Sequence, residues 1–422
     1  MTEQYRLVRE LVRGKLESRT RLHYLFGYFY DFVIYRARKL PVYLLSGLEE
    51  NTGKEMTTIF VGAEAEAHQF CSFAYSETRK MLLAAEILPT KIKSIEKYSE
   101  KLSNLLIVRS KAPTVLSFQK RGYFVLPTVS FRLDLRFSID ELLRRMSRRR
   151  RRDISKLVGL NYSHCIRRKE GGSFDYFYHK MYRPFAEQRF GKAAAFRSYL
   201  ESRIIYQNNG GIIFVQASEK PVAGILFQKR GNTLFAVSFG KCNSQEACDL
   251  SGQAALFFLI KWAKNNGIEY LDYGLCSSFF RDGIFSYKKE WGMSIYNRPE
   301  CFASALRFTS IDEVCLSFLH GNPFVVLDGE KLKGVTFIGY RPTAQDIQRI
   351  LSEYSLSGLA SIVVVSCCKE FAAVSSPTET LVASRGSRMV SCLSDFCSFM
   401  SAKGFSTEVF ELTNLPGKCE TQ

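Results

Sequence analysis

Residues 212–273 constrain the fold most. Three short apolar runs, 212–216, 222–227 and 233–239, are separated by the turn-rich tetrapeptides S-E-K-P and K-R-G-N, which is the pattern of an antiparallel meander. Asp249 or Ser251 stands where a cap is needed for a helix over 253–265, Gly267 stops that helix, and 269–273 reads as a further strand. A chain that orders strand, strand, strand, helix, strand within about 60 residues commits its core to a mixed sheet with helices against it.

The flanks follow the same grammar. Between residues 40 and 137, strand-like runs at 42–45, 57–61, 105–108 and 123–135 alternate with helical stretches at 64–87 and 113–120. Ser138-Ile139-Asp140-Glu141 is a capping box, because the serine oxygen can accept from the amide of Glu141 while the glutamate answers the serine. A helix is expected from there through Lys156, and helices again over 172–207. Beyond residue 309, strands at 324–327, 334–339, 362–366 and 406–412 alternate with helices at 343–353 and 388–403. The expected fold class is therefore α/β, or α+β, built on a mixed sheet flanked by helices. The expected divisions are a basic amphipathic helical region over 1–39, an α/β region over 40–137, a main domain over 138–308 and a small α/β domain over 309–422.

Charge narrows the partners. The net formal charge is +18, and residues 306–422 hold 10 Lys or Arg against 12 Asp or Glu, leaving 49 against 29 for residues 1–305. A surplus of +20 on that part of the chain fits an anionic partner: a nucleotide cofactor, RNA, a phosphorylated substrate or an acidic membrane face. No run of roughly 18 uncharged apolar residues occurs. The N-terminus lacks a secretory pattern, and Glu3, Glu10 and Glu17 do not suit a transit peptide; the expectation is a cytoplasmic protein, peripheral at the inner membrane face if residues 1–38 lie on anionic lipid. The 12 cysteines form no Cys-x-x-Cys pair and the five histidines no H-E-x-x-H, so no metal is expected.

Four segments carry a family likeness. They are L-P-T-V-S-F-R-L-D-L-R-F-S-I-D-E, continuing through the arginine run to Leu157, P-V-A-G-I-L-F at 221–227, L-D-Y-G at 271–274, and R-D-G-I-F-S-Y-K-K-E-W-G at 281–292. In order and spacing, the stretch 126–306 resembles the FemAB-like branch of the GNAT superfamily, whose members move an acyl or aminoacyl group onto an amine. The resemblance implies a GNAT-type unit, with residues 40–137 as a degenerate first unit in tandem. It implies no permanently bound cofactor and an acyl-CoA cosubstrate, with aminoacyl-tRNA as the alternative donor and an amine-bearing acceptor. The usual pyrophosphate loop is replaced here by K-C-N-S-Q-E-A-C-D-L-S-G-Q-A, which keeps only Gly252.

The same resemblance distributes roles. It implies carbonyl-polarising amides on the splayed fourth strand near Val237, Ser238, Phe239 and Gly240, and a phosphate-facing turn at Ser251, Gly252 and Gln253, where a helix N-terminus supplies orphan N–H groups. Lys288 after Tyr287 holds the position of the family's aromatic-lysine pair, suited to a donor phosphate or a developing oxyanion. Asp272 and Asp282 each stand as acceptor of the amine proton, with Asp282 preferred, or as partners of Arg281 or a turn. Arg148 and Arg152, four apart on one helix, are phosphate candidates. So is Arg189, with an ion pair to Glu187 or Glu201 as its rival. Lys289 reads as solvated and Trp291 as core. The leading function is N-acyl transfer; the alternatives are aminoacyl-tRNA-dependent peptide-bond formation and an inactive GNAT-like module that binds RNA or anionic lipid.

Overall fold

The computed structural model describes residues 39–88, 91–111, 115–116, 118, 123–191, 197–242, 250–298, 302–310, 312–368, 396–398, 400–401 and 406–413. The expected N-terminal helical region, Asp249, and most of the helices expected at 113–120 and 388–403 lie outside them. The described chain forms two compact units, one of Ser130–Leu275 with Tyr287–Ser294, the other of the residues up to Val129, Cys276–Ser286 and those from Ile295 on.

In chain order the second unit begins with β1 (Leu40–Glu49), β2 (Glu55–Val61), α1 (Glu64–Ala74), β3 (Tyr75–Ile87), α2 (Ile92–Leu102), β4 (Leu105–Lys111) and β5 (Phe124–Pro127). The first unit contributes β6 (Val129–Asp134), α3 (Ile139–Arg145), α4 (Arg148–Leu157), β7 (Ser163–Arg167) and α5 (Gly171–Tyr176). A π-helical segment, Phe177–Tyr182, joins α5 to α6 (Arg183–Phe190). Then come α7 (Tyr199–Gln207), β8 (Gly210–Ala217), β9 (Lys220–Arg230), β10 (Thr233–Lys241), α8 (Ser251–Asn265), β11 (Tyr270–Cys276), α9 (Gly283–Glu290) and β12 (Ser294–Asn297). The chain ends with β13 (Phe302–Phe308), α10 (Glu313–Gly321), β14 (Phe324–Asp328), β15 (Lys331–Ile338), α11 (Ala344–Tyr354), β16 (Ser361–Cys368) and β17 (Ser406–Leu412).

The α/β class expected from the pattern is the class observed. The second unit holds two sheets, of order β3-β1-β2-β4-β13-β5 and β14-β15-β16-β17. Residues from 309 on share this unit with residues 39–129, and the reason is aromatic: Phe124 of β5 meets Phe308, Phe324, Phe337 and Phe396 edge-on at 5.6–6.2 Å. All five rings are buried, and each such side chain contributes roughly 1.5–3 kcal/mol on leaving water.

Two helices end earlier than their composition suggests. The stretch expected as one helix over 64–87 turns at Ala74 into β3, which pairs antiparallel with β1 from Leu40↔Ile87 to Glu49↔Tyr75. Lys, Met, Leu and Ala there are good helix formers, but a ladder along the edge of a buried strand outweighs tenths of a kcal/mol per residue of propensity. The helix expected from Ser138 through Lys156 keeps its capping box, with Glu141 N donating to Ser138 Oγ at 3.2 Å, yet breaks at Met146, whose ψ is 154°. Ser147 then caps α4 by accepting from Arg150 N at 3.2 Å. Its own N–H donates to the Glu290 carbonyl at 2.9 Å, tying the start of α4 to the end of α9.

Within the first unit the sheet runs β6-β11-β10-β9-β8-β7. β8, β9 and β10 form the expected meander, α8 follows, and β11 returns parallel to β10. A buried cluster of Phe174, Phe177, Tyr178, Met181, Tyr206, Phe214 and their neighbours packs α5, the π segment and α7 on this sheet.

Candidate active site

Two irregularities of β10 shape the site. The parallel ladder between β10 and β11 comprises only Thr233↔Tyr270, Leu234↔Leu271 and Phe235↔Asp272, so among the described residues β10 continues from Ala236 to Lys241 without a partner in β11. In the same place its register against β9 slips, Ala236 facing Phe227 and Ser238 facing Leu226. Val237 is the extra residue of that bulge, which disrupts the ladder and re-aims backbone N–H groups. Meander, helix, parallel strand and split fourth strand are the arrangement that the sequence resemblance implies for a GNAT-type unit.

The β10 side of the split is close-packed. Ser238 and Gly240 are buried. A Cβ at Gly240 would lie 2.5 Å from Tyr182 N and 2.7 Å from Met181 C, so only glycine lets the π segment rest on the strand. Phe239 meets Phe185 edge-on at 5.1 Å, and the Arg189 guanidinium stands 5.8 Å from the Phe185 ring. A Cβ at Gly252 would come within 3.1 Å of the Phe239 ring, so a small residue in the first turn of α8 keeps that turn against the strand. Ser251 is fully buried, and its Oγ has no hydrogen-bond partner among the described residues. Gln253, next along, is half-buried.

On the β11 side, Asp272 is 1% exposed and its Oδ1 accepts from Gly274 N at 2.8 Å; Gly274 sits at φ 77°, where other residues are strained. Lys288, 3% exposed, donates from Nζ to the carbonyls of Gly274 and Leu275, both at 2.9 Å. Asp272 and Lys288 therefore converge on the backbone of Gly274. Tyr273 and Tyr287 face each other with centroids 6.2 Å apart, and Lys288 Nζ lies 5.9 Å from the Tyr273 ring.

The arginine run resolves into one inward residue and an outward set. Arg150 is 4% exposed. It reaches Glu290 at 2.6 Å and Asp153 at 3.2 Å, and lies over the Tyr287 ring at 4.7 Å. Arg148 and Arg152 are exposed, on the opposite side of α4. Helical spacing held the signal: Arg150 precedes the buried Ile154 by one turn. For Arg189, both rival acids are engaged elsewhere, Glu187 with Arg183 at 2.8 Å and Glu201 with Arg197 at 2.6 Å.

Burial holds the Tyr273 phenol well above its ordinary range, the neighbouring Tyr287 adds to that, and Arg150 and Arg189 pull the other way. Burial also raises Tyr287, against the same two arginines and its hydrogen bond with Tyr273. Both phenols thus remain protonated donors at neutral pH. The shared influence of Arg189 relates α6 to the two tyrosines, and Phe185 and Phe239 relate it to the bulged strand.

Asp282 belongs to the second unit. Its Oδ1 accepts from Ile284 N at 2.7 Å and Phe285 N at 3.1 Å, capping α9, while Oδ2 accepts from Gln69 Nε2 at 3.0 Å. Trp291 is fully buried and Lys289 half-buried. Among the described residues no group of three His, Cys, Asp or Glu could hold a metal ion, and no helix is long and apolar enough to cross a membrane.

No protein-family model matches the chain, and no curated protein matches it. Solved structures similar to it include FemX, with 12% identity over 72% of this chain and 96% of that one at a TM-score of 0.36. The L-PGS structure from Bacillus licheniformis has 13% identity over 65% and 88% at 0.34. A GCN5-related N-acetyltransferase from Kribbella flavida has 10% identity over 68% and 94% at 0.24.

Proposed function

We propose that the protein is an N-acyltransferase that moves an acyl group from an acyl thioester, acyl-CoA, to an amine acceptor. The observation that carries this reading is the bulge at Val237 in a strand that has parted from its parallel neighbour. Amides freed there suit a carbonyl oxygen that becomes an oxyanion. The first turn of α8, a helix N-terminus where the buried Ser251 Oγ has no hydrogen-bond partner among the described residues, suits a donor phosphate. In the reaction the amine nitrogen attacks the thioester carbon, the C–N bond forms and the C–S bond breaks. Asp272 accepts the proton that the nitrogen loses; a phenol of the Tyr273–Tyr287 pair protonates the departing thiolate and, as its raised range requires, regains a proton at once, the balance being closed when Asp272 releases the one it took. Lys288 fixes the end of β11 through the Gly274 and Leu275 carbonyls and places a positive charge near the Tyr273 ring.

Thermal stabilisation of the purified protein tests the donor. A ligand at about 100 times its Kd adds about 2.7 kcal/mol. A shift with CoA or a long-chain acyl-CoA that weakens in Lys288→Ala, together with thiol release in the presence of an amine, is the expected result. The surplus of +20 on residues 1–305 favours a second donor, aminoacyl-tRNA, through phosphate neutralisation; a strongly salt-dependent shift with deacylated tRNA and none with CoA would replace the first reading by this one.

A further inference from the structure

Helix α4 divides its charges by side. Arg150, Ile154 and Leu157 are its buried residues, and Asp153, its one acid, is bound to Arg150. At about 100° per residue, Arg148, Arg151, Arg152 and Lys156 fall on the opposite half, and all four are exposed. The end of the preceding helix adds Arg144 and Arg145, also exposed.

This cationic half ends in an apolar tip. The chain leaves α4 through a single 3-10 turn, Val158–Leu160, and turns back at Asn161 with φ 46°. Val158 is 86% exposed and Leu160 38%, and Gly159 between them has open space around it. By its helical phase Val158 projects on the side of Arg151, so the apolar tip closes the end of α4 beside the edge of its cationic half.

We propose that this surface docks on an anionic lipid bilayer, with the arginines against headgroup phosphates and Val158 and Leu160 entering the acyl boundary. Clustered Lys and Arg are drawn to an anionic leaflet, and exposed apolar residues give such a site its hold when salt screens the charge. A nucleic acid would use the cations but has no need of a valine and a leucine at their end. The helix and its exit turn also carry no aromatic side chain on which a base could stack. The docking is independent of what the cleft between β10 and β11 transfers.

Co-sedimentation of the full chain with vesicles tests it. Wild type is expected to pellet with vesicles of phosphatidylcholine mixed with phosphatidylglycerol and to stay in solution with phosphatidylcholine alone. Arg148→Glu combined with Arg152→Glu should weaken binding by more than about tenfold. Val158→Ser combined with Leu160→Ser should leave binding at low salt and lose it at moderate salt. The altered side chains are exposed, and an unchanged melting temperature verifies folding in each variant. The proposal is overturned by no binding to the mixed vesicles, by equal binding to phosphatidylcholine alone, by wild-type binding in both double variants, or by tRNA binding through Arg148 and Arg152 without vesicle binding.

Discussion

Arg150 lies 2.6 Å from the carboxylate of Glu290, and the backbone a few residues away repeats the tie, Ser147 N donating to the Glu290 carbonyl at 2.9 Å. One residue of α9 thus anchors both the first turn of α4 and the one arginine of the run that turns inward. The same guanidinium lies over Tyr287, so the lock also fixes a wall of the candidate site.

Removing Arg150 should cost stability. Breaking a fully buried pair costs roughly 3–5 kcal/mol; Glu290 keeps 29% of its side chain exposed, so about 2–3 kcal/mol is expected for Arg150→Ala. Arg148→Ala and Arg152→Ala, at exposed positions, should stay within about 0.5 kcal/mol of wild type. Urea denaturation of the three variants checks the contrast, and equal losses would remove the distinction between inward and outward arginines.

Lys288→Met should lower both stability and turnover. The methionine fills the channel of the aliphatic stem but leaves the carbonyls of Gly274 and Leu275 without their ammonium donor, a loss of about 1–3 kcal/mol. Turnover should fall further than unfolding explains. Comparing kcat at a temperature where both proteins are fully folded separates the two effects, and an unchanged kcat would leave Lys288 a structural staple.

Gly240→Ala should disturb the split strand without touching Tyr273 or Tyr287. Its Cβ would meet Tyr182 N at 2.5 Å, and relief by backbone movement costs typically 1–3 kcal/mol. The expected signature is a raised KM for the acyl donor and an intact late-titrating tyrosine population.

That population follows from pKa direction. A phenol raised above its unfolded value lends stability that is complete below the ordinary pKa near 10 and is lost as pH climbs through the folded value. Ultraviolet titration should therefore show Tyr273 and Tyr287 ionising later than exposed tyrosines, and Tyr273→Phe should reduce the late amplitude and shrink the loss of stability above about pH 10.

Local chemistry made much of the first unit legible in the chain itself. Turns at S-E-K-P and K-R-G-N, the Ser138–Glu141 box and the stop at Gly267 act over a few residues, and their elements stand where the pattern places them. The candidate positions were legible as segments rather than as contacts. Tyr287 and Lys288 came from a motif, but the carbonyls that hold Lys288 lie 13 and 14 residues away on β11. The sequence favoured Asp282 over Asp272 as proton acceptor, and their partners distinguish them: backbone N–H groups and Gln69 for Asp282, and for Asp272 the N–H of Gly274, the residue whose carbonyl holds Lys288. Sequence by itself determined the strand and helix grammar and the sign of the charge, because propensity, capping and net charge are local or additive. Tertiary structure alone decided that 75–87 is a strand, that Arg150 is the buried arginine, and that residues beyond 309 pack with those before 129. Each of these is settled by a partner distant in sequence, through a ladder, a buried ion pair or a cluster of rings, whose free energy exceeds the local preference it overrides.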